Sequence, residues 1–263
     1  MSYIKFLGTA GARFVMIKQL RASGGMWFSF GSTNFLVDPG PGCLVRAVKS
    51  RPKLDPAKID FIFLSHKHLD HSCDVNLMIE AMTNGGFTKR GGVFAPRDAF
   101  EQDPVIFKYI LRYPQKIESI AEGNTYSVND ISIKIPVRLH HSVETYGFKI
   151  SWKGFVAAYL PDTGFFEGLA QSYAGSDILI INTVMFEPRE GVGHLSLPEA
   201  ENIIKAVKPQ KAILTHFGMQ MLKNRIWERG NEISDRTGTE VVIASDGMLL
   251  DIDGVYTNSS SKI

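Results

Sequence analysis

The sequence predicts an α/β fold on three observations. Short apolar runs of strand character, among them 59–64, 177–181 and 211–215, alternate with stretches whose apolar residues recur at helical spacing. Two strand ends, Asp38-Pro39-Gly40 and Pro161-Asp162-Thr163-Gly164, each deliver an aspartate into a glycine turn, an echo that fits an internal repeat of a β-sheet half. No low-complexity tract, heptad repeat or linker divides the chain, so residues 1–263 are read as one domain, long enough to bury a large core.

Composition narrows the partners. A net charge of +2, from 29 basic and 27 acidic residues, leaves no electrostatic footprint for general nucleic-acid or membrane binding, although a local patch stays open. Cys43 and Cys73 are too few for a disulfide framework or a four-cysteine zinc site and are expected to pack as small apolar groups. With no charged-plus-apolar leader and no apolar run of about 18 residues, the expectation is a soluble cytoplasmic protein with no membrane partner.

The chain opens with a strand over 3–7 and a glycine loop, Gly8-Thr9-Ala10-Gly11-Ala12. The loop lacks the Gly-Lys-Ser/Thr ending of a nucleotide P-loop, so it reads as a turn that lets backbones approach closely. Residues 13–25, with Lys18 and Arg21, read equally as a flap carrying cations over a site and as an exposed connection. Strands over 27–30 and 34–37 pair around Gly31-Ser32-Thr33, a short helix follows over 43–50, and 59–64 is a buried strand. Val75, Leu77, Met78, Ile79 and Met82 form an apolar helical stripe that stops at Asn84-Gly85-Gly86, and 97–113 is helical in part. Two hairpin strands over 146–152 and 155–160 precede Asp162. Ser196-Leu197-Pro198-Glu199 is a capping box opening an amphipathic helix through Ala200, Ile203, Ile204 and Val207. Strands over 241–245 and 248–252 close the chain, and 258–263 is expected to fray.

The chemistry concentrates in Ser65-His66-Lys67-His68-Leu69-Asp70-His71, where the strand over 59–64 runs out into a loop. Three imidazoles and a carboxylate supply the nitrogen and oxygen donors that borderline divalent ions prefer. In an extended stretch residues two apart point the same way, so His66 and His68 can grip one ion. If a helix begins near Leu69, Asp70 and His71 swing towards a second. Further on, 131–141 alternates apolar and polar, which places His141 on the buried side with Leu139 and His140 on the outer side with Arg138. Parity makes His141 the better ligand.

The heptapeptide resembles the His-x-His-x-Asp-His signature of the metallo-β-lactamase superfamily, and its partner motifs follow in family order from Asp38 to His216. The resemblance implies a four-layer αββα sandwich with the site where the strand ends of two sheets meet. It implies His66, His68 and His141 on one ion, Asp70, His71 and His216 on the other, Asp162 shared between them, and Asp38 supporting the metal loop. Two divalent ions, zinc or manganese, are the implied cofactors, and Asp70 counts with the catalytic residues. Such a pair would hold a bridging water as hydroxide near neutral pH, so hydrolysis is the expected reaction. His68 stands where the oxygen-reducing diiron branch carries a glutamate, which disfavours redox chemistry.

The opening Phe-Leu-Gly-Thr, the His141 segment and His194-Leu-Ser before a helix look like the phosphodiesterase branch that includes ribonuclease Z and the cyclic phosphodiesterase of the carbon-phosphorus lyase pathway. Many ribonuclease Z enzymes carry a tRNA-gripping arm between the third histidine and the bridging aspartate; here 20 residues separate His141 from Asp162. The cysteine-rich extra zinc site of the cyclic phosphodiesterase has no counterpart either. The expectation is a phosphodiesterase for a small, anionic phosphodiester or cyclic phosphate. The rivals are a lactone, thioester or β-lactam hydrolase, a tRNA-processing ribonuclease, and a non-catalytic metal-binding protein. A homodimer is the one protein partner considered. His194, fixed just before the capping box, is expected either as a general acid kept charged by a carboxylate such as Glu187, or as a residue tying down the loop.

Overall fold

The computed structural model describes residues 2–101 and 103–255. The fraying expected for 258–263 therefore lies outside the described residues. Seven strands form a first sheet: β1 (Tyr3–Phe6), β2 (Met26–Phe30), β3 (Thr33–Val37), β4 (Phe61–Phe63), β5 (Gly92–Ala95), β6 (Lys116–Ser119) and, returning at the end of the chain to flank β1, β14 (Leu249–Asp251). Seven more form a second: β7 (Thr125–Val128), β8 (Ile131–Lys134), β9 (Phe148–Trp152), β10 (Phe155–Leu160), β11 (Ile178–Asn182), β12 (Lys211–Thr215) and β13 (Glu240–Ile243).

The two sheets repeat one plan. Each begins as an antiparallel meander, β1 to β3 in the first and β7 to β10 in the second. Each then continues in parallel, β3 to β6 and β10 to β13. Asp38 follows the last meander strand of one half and Asp162 that of the other, so the echo read from the sequence is a topological repeat. Strands β5, β6 and β7 escaped the sequence reading. They are four residues each, and β6 and β7 carry exposed or half-buried side chains with little apolar signal.

Three apolar layers make this a four-layer αββα sandwich. Between the sheets, rings stack across neighbouring strands: Phe28 on Phe35 at 4.6 Å and Phe35 on Phe61 at 4.5 Å between centroids, each pair opposite in register. Such cross-strand aromatic pairs add to the burial that holds the sheets together. The outer face of the first sheet is covered by helices Cys43–Lys49 and Val75–Met82. The outer face of the second is covered chiefly by Leu197–Val207 and Gly230–Thr237. The expected stripe of Val75–Met82 is buried except at Leu77, which is half exposed. Cys43 packs in the core as expected, whereas Cys73 is exposed. Among the described residues of 97–113 the helical structure is two single 3-10 turns, at Arg97–Ala99 and Ile110–Arg112. No helix among the described residues is long and apolar enough to cross a membrane.

Candidate metal centre

Parallel strands present their carboxyl ends at one edge, where α/β folds gather ligands. Asp38 follows β3, Ser65 and His66 follow β4, Asp162 follows β10, Asn182 ends β11 and His216 follows β12. Asp38 (φ 51°) and His216 (φ 60°) both adopt the left-handed region uncommon outside glycine. The turn at His216 is held by Phe217, whose N–H donates to the Thr9 carbonyl at 2.9 Å while its own carbonyl accepts from Gly11 at 3.0 Å. A β-carbon at Gly11 would overlap the His216 carbonyl, and one at Gly40 would overlap the Asp70 carbonyl. The glycine loop is therefore the close approach its sequence suggests.

One cluster of donor atoms comes from His66, His68 and His141, all within 4.8 Å of one another. His66 is fully buried; its Nδ1 lies 3.0 Å from Ser65 Oγ and its Nε2 has no hydrogen-bond partner. His141 Nδ1 lies 2.8 Å from the Gly193 carbonyl oxygen. A carbonyl only accepts, so Nδ1 carries the hydrogen and, in the neutral ring, Nε2 is left as a bare lone pair. That lone pair sits 3.1 Å from His68 Nδ1.

A second cluster holds Asp70, His71 and His216. His71 Nδ1 points at Asp38 Oδ2 at 2.9 Å, which turns Nε2 inwards to 3.2 Å from His216 Nε2. Asp70 Oδ2 lies 3.5 Å from His216 Nε2 and 3.8 Å from His71 Nε2. Asp162 borders both clusters. Its Oδ2 is 3.4 Å from His216 Nε2 and 3.6 Å from His71 Nε2, it groups with His66, and its Oδ1 accepts from Asn182 Nδ2 at 2.8 Å. Asp38 ties the assembly together: it accepts from Ser65 N–H and Ser65 Oγ, both at 2.7 Å, and from Tyr159 OH across the sheets at 2.8 Å.

Burial pushes His66 well below the ordinary histidine range and His68 below it as well. For His71 burial acts in the same sense but is outweighed by Asp70 and Asp38, which hold it well above. For Asp162 burial would raise the carboxyl, yet His216 and His71 hold it well below the usual carboxylate range. Inward-facing imidazole nitrogens and an orphaned His66 Nε2 around buried carboxylates are unfavourable without a cation between them. The donor set of imidazole nitrogens and carboxylate oxygens fits a divalent metal ion.

The model of the β-lactamase superfamily domain matches residues 33–217 of this sequence. The chain belongs to the metallo-β-lactamase superfamily. With membership come a hydrolase scaffold and the use of divalent metal. An uncharacterized protein of Methanocaldococcus jannaschii, MJ1374, is 32% identical over 96% of both chains. Ribonuclease Z of Borrelia garinii is 24% identical over 94% of this chain and 96% of its own. Among solved structures, a diphosphatase from the PhnP family superposes with a TM-score of 0.70 at 19% identity, covering 95% of this chain and 98% of that one.

Within this superfamily scaffold, the structure brings together all seven residues expected as ligands, together with Asp38 and His194. Three details differ from the sequence reading. The hydrogen-bonded strand β8 stops at Lys134, and the apolar face switches at Pro136: Ile131, Ile133 and Ile135 face the inter-sheet core, whereas Val137 and Leu139 pack on the outer layer. His141 thus reaches the site from a loop, and His140 stacks on Phe166 at 4.1 Å between centroids. The carboxylate beside His194 is Asp162, 3.4 Å from Nδ1, not Glu187. Burial lowers the His194 pKa, with Asp162 opposing. Lastly, the segment read as a flap or a connection begins with a helix, Ala12–Ile17, packed beside the Leu69–Ser72 and Met219–Lys223 helices, and Arg21 is turned to Thr9 and the Trp227 ring. The roles of Ser65, Tyr159, Asn182 and Gly193 were missed: Ser65 stands in the heptapeptide but its type marks no ligand, and Tyr159 meets Asp38 only through the pairing of the two halves.

Proposed function

We propose that the protein is a dinuclear phosphodiesterase for a small phosphodiester or cyclic phosphate, with zinc or manganese as its metal. One observation carries the reading: two donor clusters lie side by side with the Asp162 carboxylate at the border of both. Dications held in neighbouring clusters would repel each other, and a carboxylate at the border would offset that repulsion. When bound, such ions supply Lewis acidity to a phosphoryl oxygen and an ionised water near neutral pH. The chain's own residues do the rest. Asn182 holds one oxygen of Asp162 and leaves the other facing His71 and His216. Asp38 takes the His71 Nδ1 hydrogen and Gly193 takes that of His141, which keeps both Nε2 atoms aimed inward. His194 Nδ1 lies 3.4 Å from Asp162 Oδ2, where it can deliver a proton to the departing alkoxide when charged, a form that burial opposes and Asp162 favours.

The fold shared with a PhnP-family diphosphatase is in keeping with hydrolysis at phosphorus of a small substrate. Ribonuclease chemistry is disfavoured by this chain's own length: β9 and β10 take up most of the segment from His141 to Asp162 and leave no arm. A soluble cytoplasmic setting and an anionic small-molecule substrate complete the reading. The test is a panel run on zinc- and manganese-loaded protein: bis(p-nitrophenyl) phosphate should turn over well above a lactone, a thioester and a β-lactam. Turnover of one of those three with no phosphodiester cleavage would overturn the assignment.

A further inference from the structure

On the outer face of the first sheet, between the helix Cys43–Lys49 and the turn at Asp246-Gly247, lies a groove of about 750 Å³ that shares no residue with the metal centre. Its walls carry Lys5, Arg46, Lys49 and Arg51 against one carboxylate, Asp246. The local net charge of +3 exceeds the +2 of the whole chain.

That one carboxylate is already engaged. Asp246 Oδ1 accepts from Thr9 N at 2.9 Å and Thr9 Oγ1 at 2.7 Å, and Oδ2 accepts from Ala22 N at 2.7 Å. Arg46, Lys49 and Arg51 form no ion pair among the described residues, whose salt bridges lie elsewhere. Lys5 is 5% exposed, and its ammonium donates to the carbonyls of Arg51 at 2.9 Å and Gly247 at 2.6 Å. It pins the two rims of the groove together with no carboxylate beside it, and burial pulls its pKa down. Arg46 runs its side chain over Gly24 and Gly42, where absent β-carbons leave it room.

A helix end accounts for part of this: Arg46 and Lys49 stand in the last turn and complement its dipole. Lys5 and Arg51 lie outside the helix, and like charges gathered in a concavity repel one another. We propose that this groove binds a small polyphosphate, a ligand carrying two or more linked phosphates. Its volume falls in the range of small-molecule sites, guanidinium groups pair phosphate oxygens in a bidentate fork, and three to four anionic charges balance the excess. The groove is a single concavity and not a track, which favours a compact polyanion over a nucleic-acid strand.

The test titrates metal-loaded full-length protein with tripolyphosphate, ATP and inorganic phosphate at low salt by calorimetry, checking metal content afterwards and following the backbone amides of Gly42, Ser50 and Gly247 by NMR. Tripolyphosphate and ATP should bind and shift those amides, with inorganic phosphate at least about tenfold weaker. The Arg46→Gln/Arg51→Gln double variant should weaken tripolyphosphate about tenfold or more and leave both the melting temperature and bis(p-nitrophenyl) phosphate turnover unchanged. Equal affinities for ATP and tripolyphosphate would assign recognition to the phosphate chain; tighter ATP would add the nucleoside to the ligand. Shifts confined to the metal centre, binding indifferent to the double variant, or a single-stranded RNA binding these amides more tightly than tripolyphosphate would each overturn the proposal.

Discussion

His140 and His141 are neighbours in the chain with different surroundings, one stacked on Phe166 and the other facing His68 across 3.1 Å. His141→Ala should abolish turnover and lower metal affinity by about ten- to a hundredfold, while His140→Ala should keep most activity. Metal analysis beside kinetics decides it, and equal damage from both would remove His141 from the ligand set. Strand parity pointed to His141, but the strand ends seven residues earlier and the apolar face switches at Pro136, so the loop and not the parity brings His141 beside His66 and His68. Asp38 was legible as a strand-end carboxylate, but its hydroxyl partner Tyr159 was not, since 121 residues separate them. For His194, half-buried beside Asp162, the leaving group is the discriminating variable. As a general acid, His194→Ala should slow alkyl phosphodiesters about 10²- to 10⁴-fold and spare p-nitrophenyl esters, whose leaving group needs little protonation. Equal loss on both substrates, or lost metal, would make it a structural residue or a ligand.

At the scale of elements, strands with strong apolar patterning and loops with glycine punctuation were readable, and β5 to β7 were not. Those three strands are four residues long and owe their place to pairing with neighbours already formed. The segments after β4 and β12 depend on glycines elsewhere in the chain, Asp70 on Gly40 and His216 on Gly11. Gly11→Ala should therefore act on a turn it does not belong to. Forcing the backbones apart should cost about 1–3 kcal/mol of stability and weaken the cluster containing His216 more than the one containing His141. Chemical denaturation and metal titration of the variant check both parts; a variant with unchanged stability and metal affinity would mean that the approach relaxes freely.

For the whole molecule, the proposed stoichiometry is close to two divalent ions per chain, and elemental analysis of protein expressed in metal-replete medium tests it; trace metal alone would remove the dinuclear reading. His66 and His68 are held neutral by burial, but His71, held above its ordinary range, must give up a proton to a metal. Metal affinity should then rise with pH and fall on acidification below the raised range of His71, by up to about tenfold per unit for each proton displaced. A flat profile would mean that His71 does not change protonation on binding. Each donor cluster draws from both halves of the repeat: His66 and His68 with His141, Asp70 and His71 with His216. An ion in either place is thus a removable cross-link between two sheets otherwise joined by a shared apolar interior, in the way a disulfide joins two strands. Chelation should lower the melting temperature as well as the activity, and two fragments cut between β6 and β7 should reassociate more tightly when metal is supplied than when it is withheld.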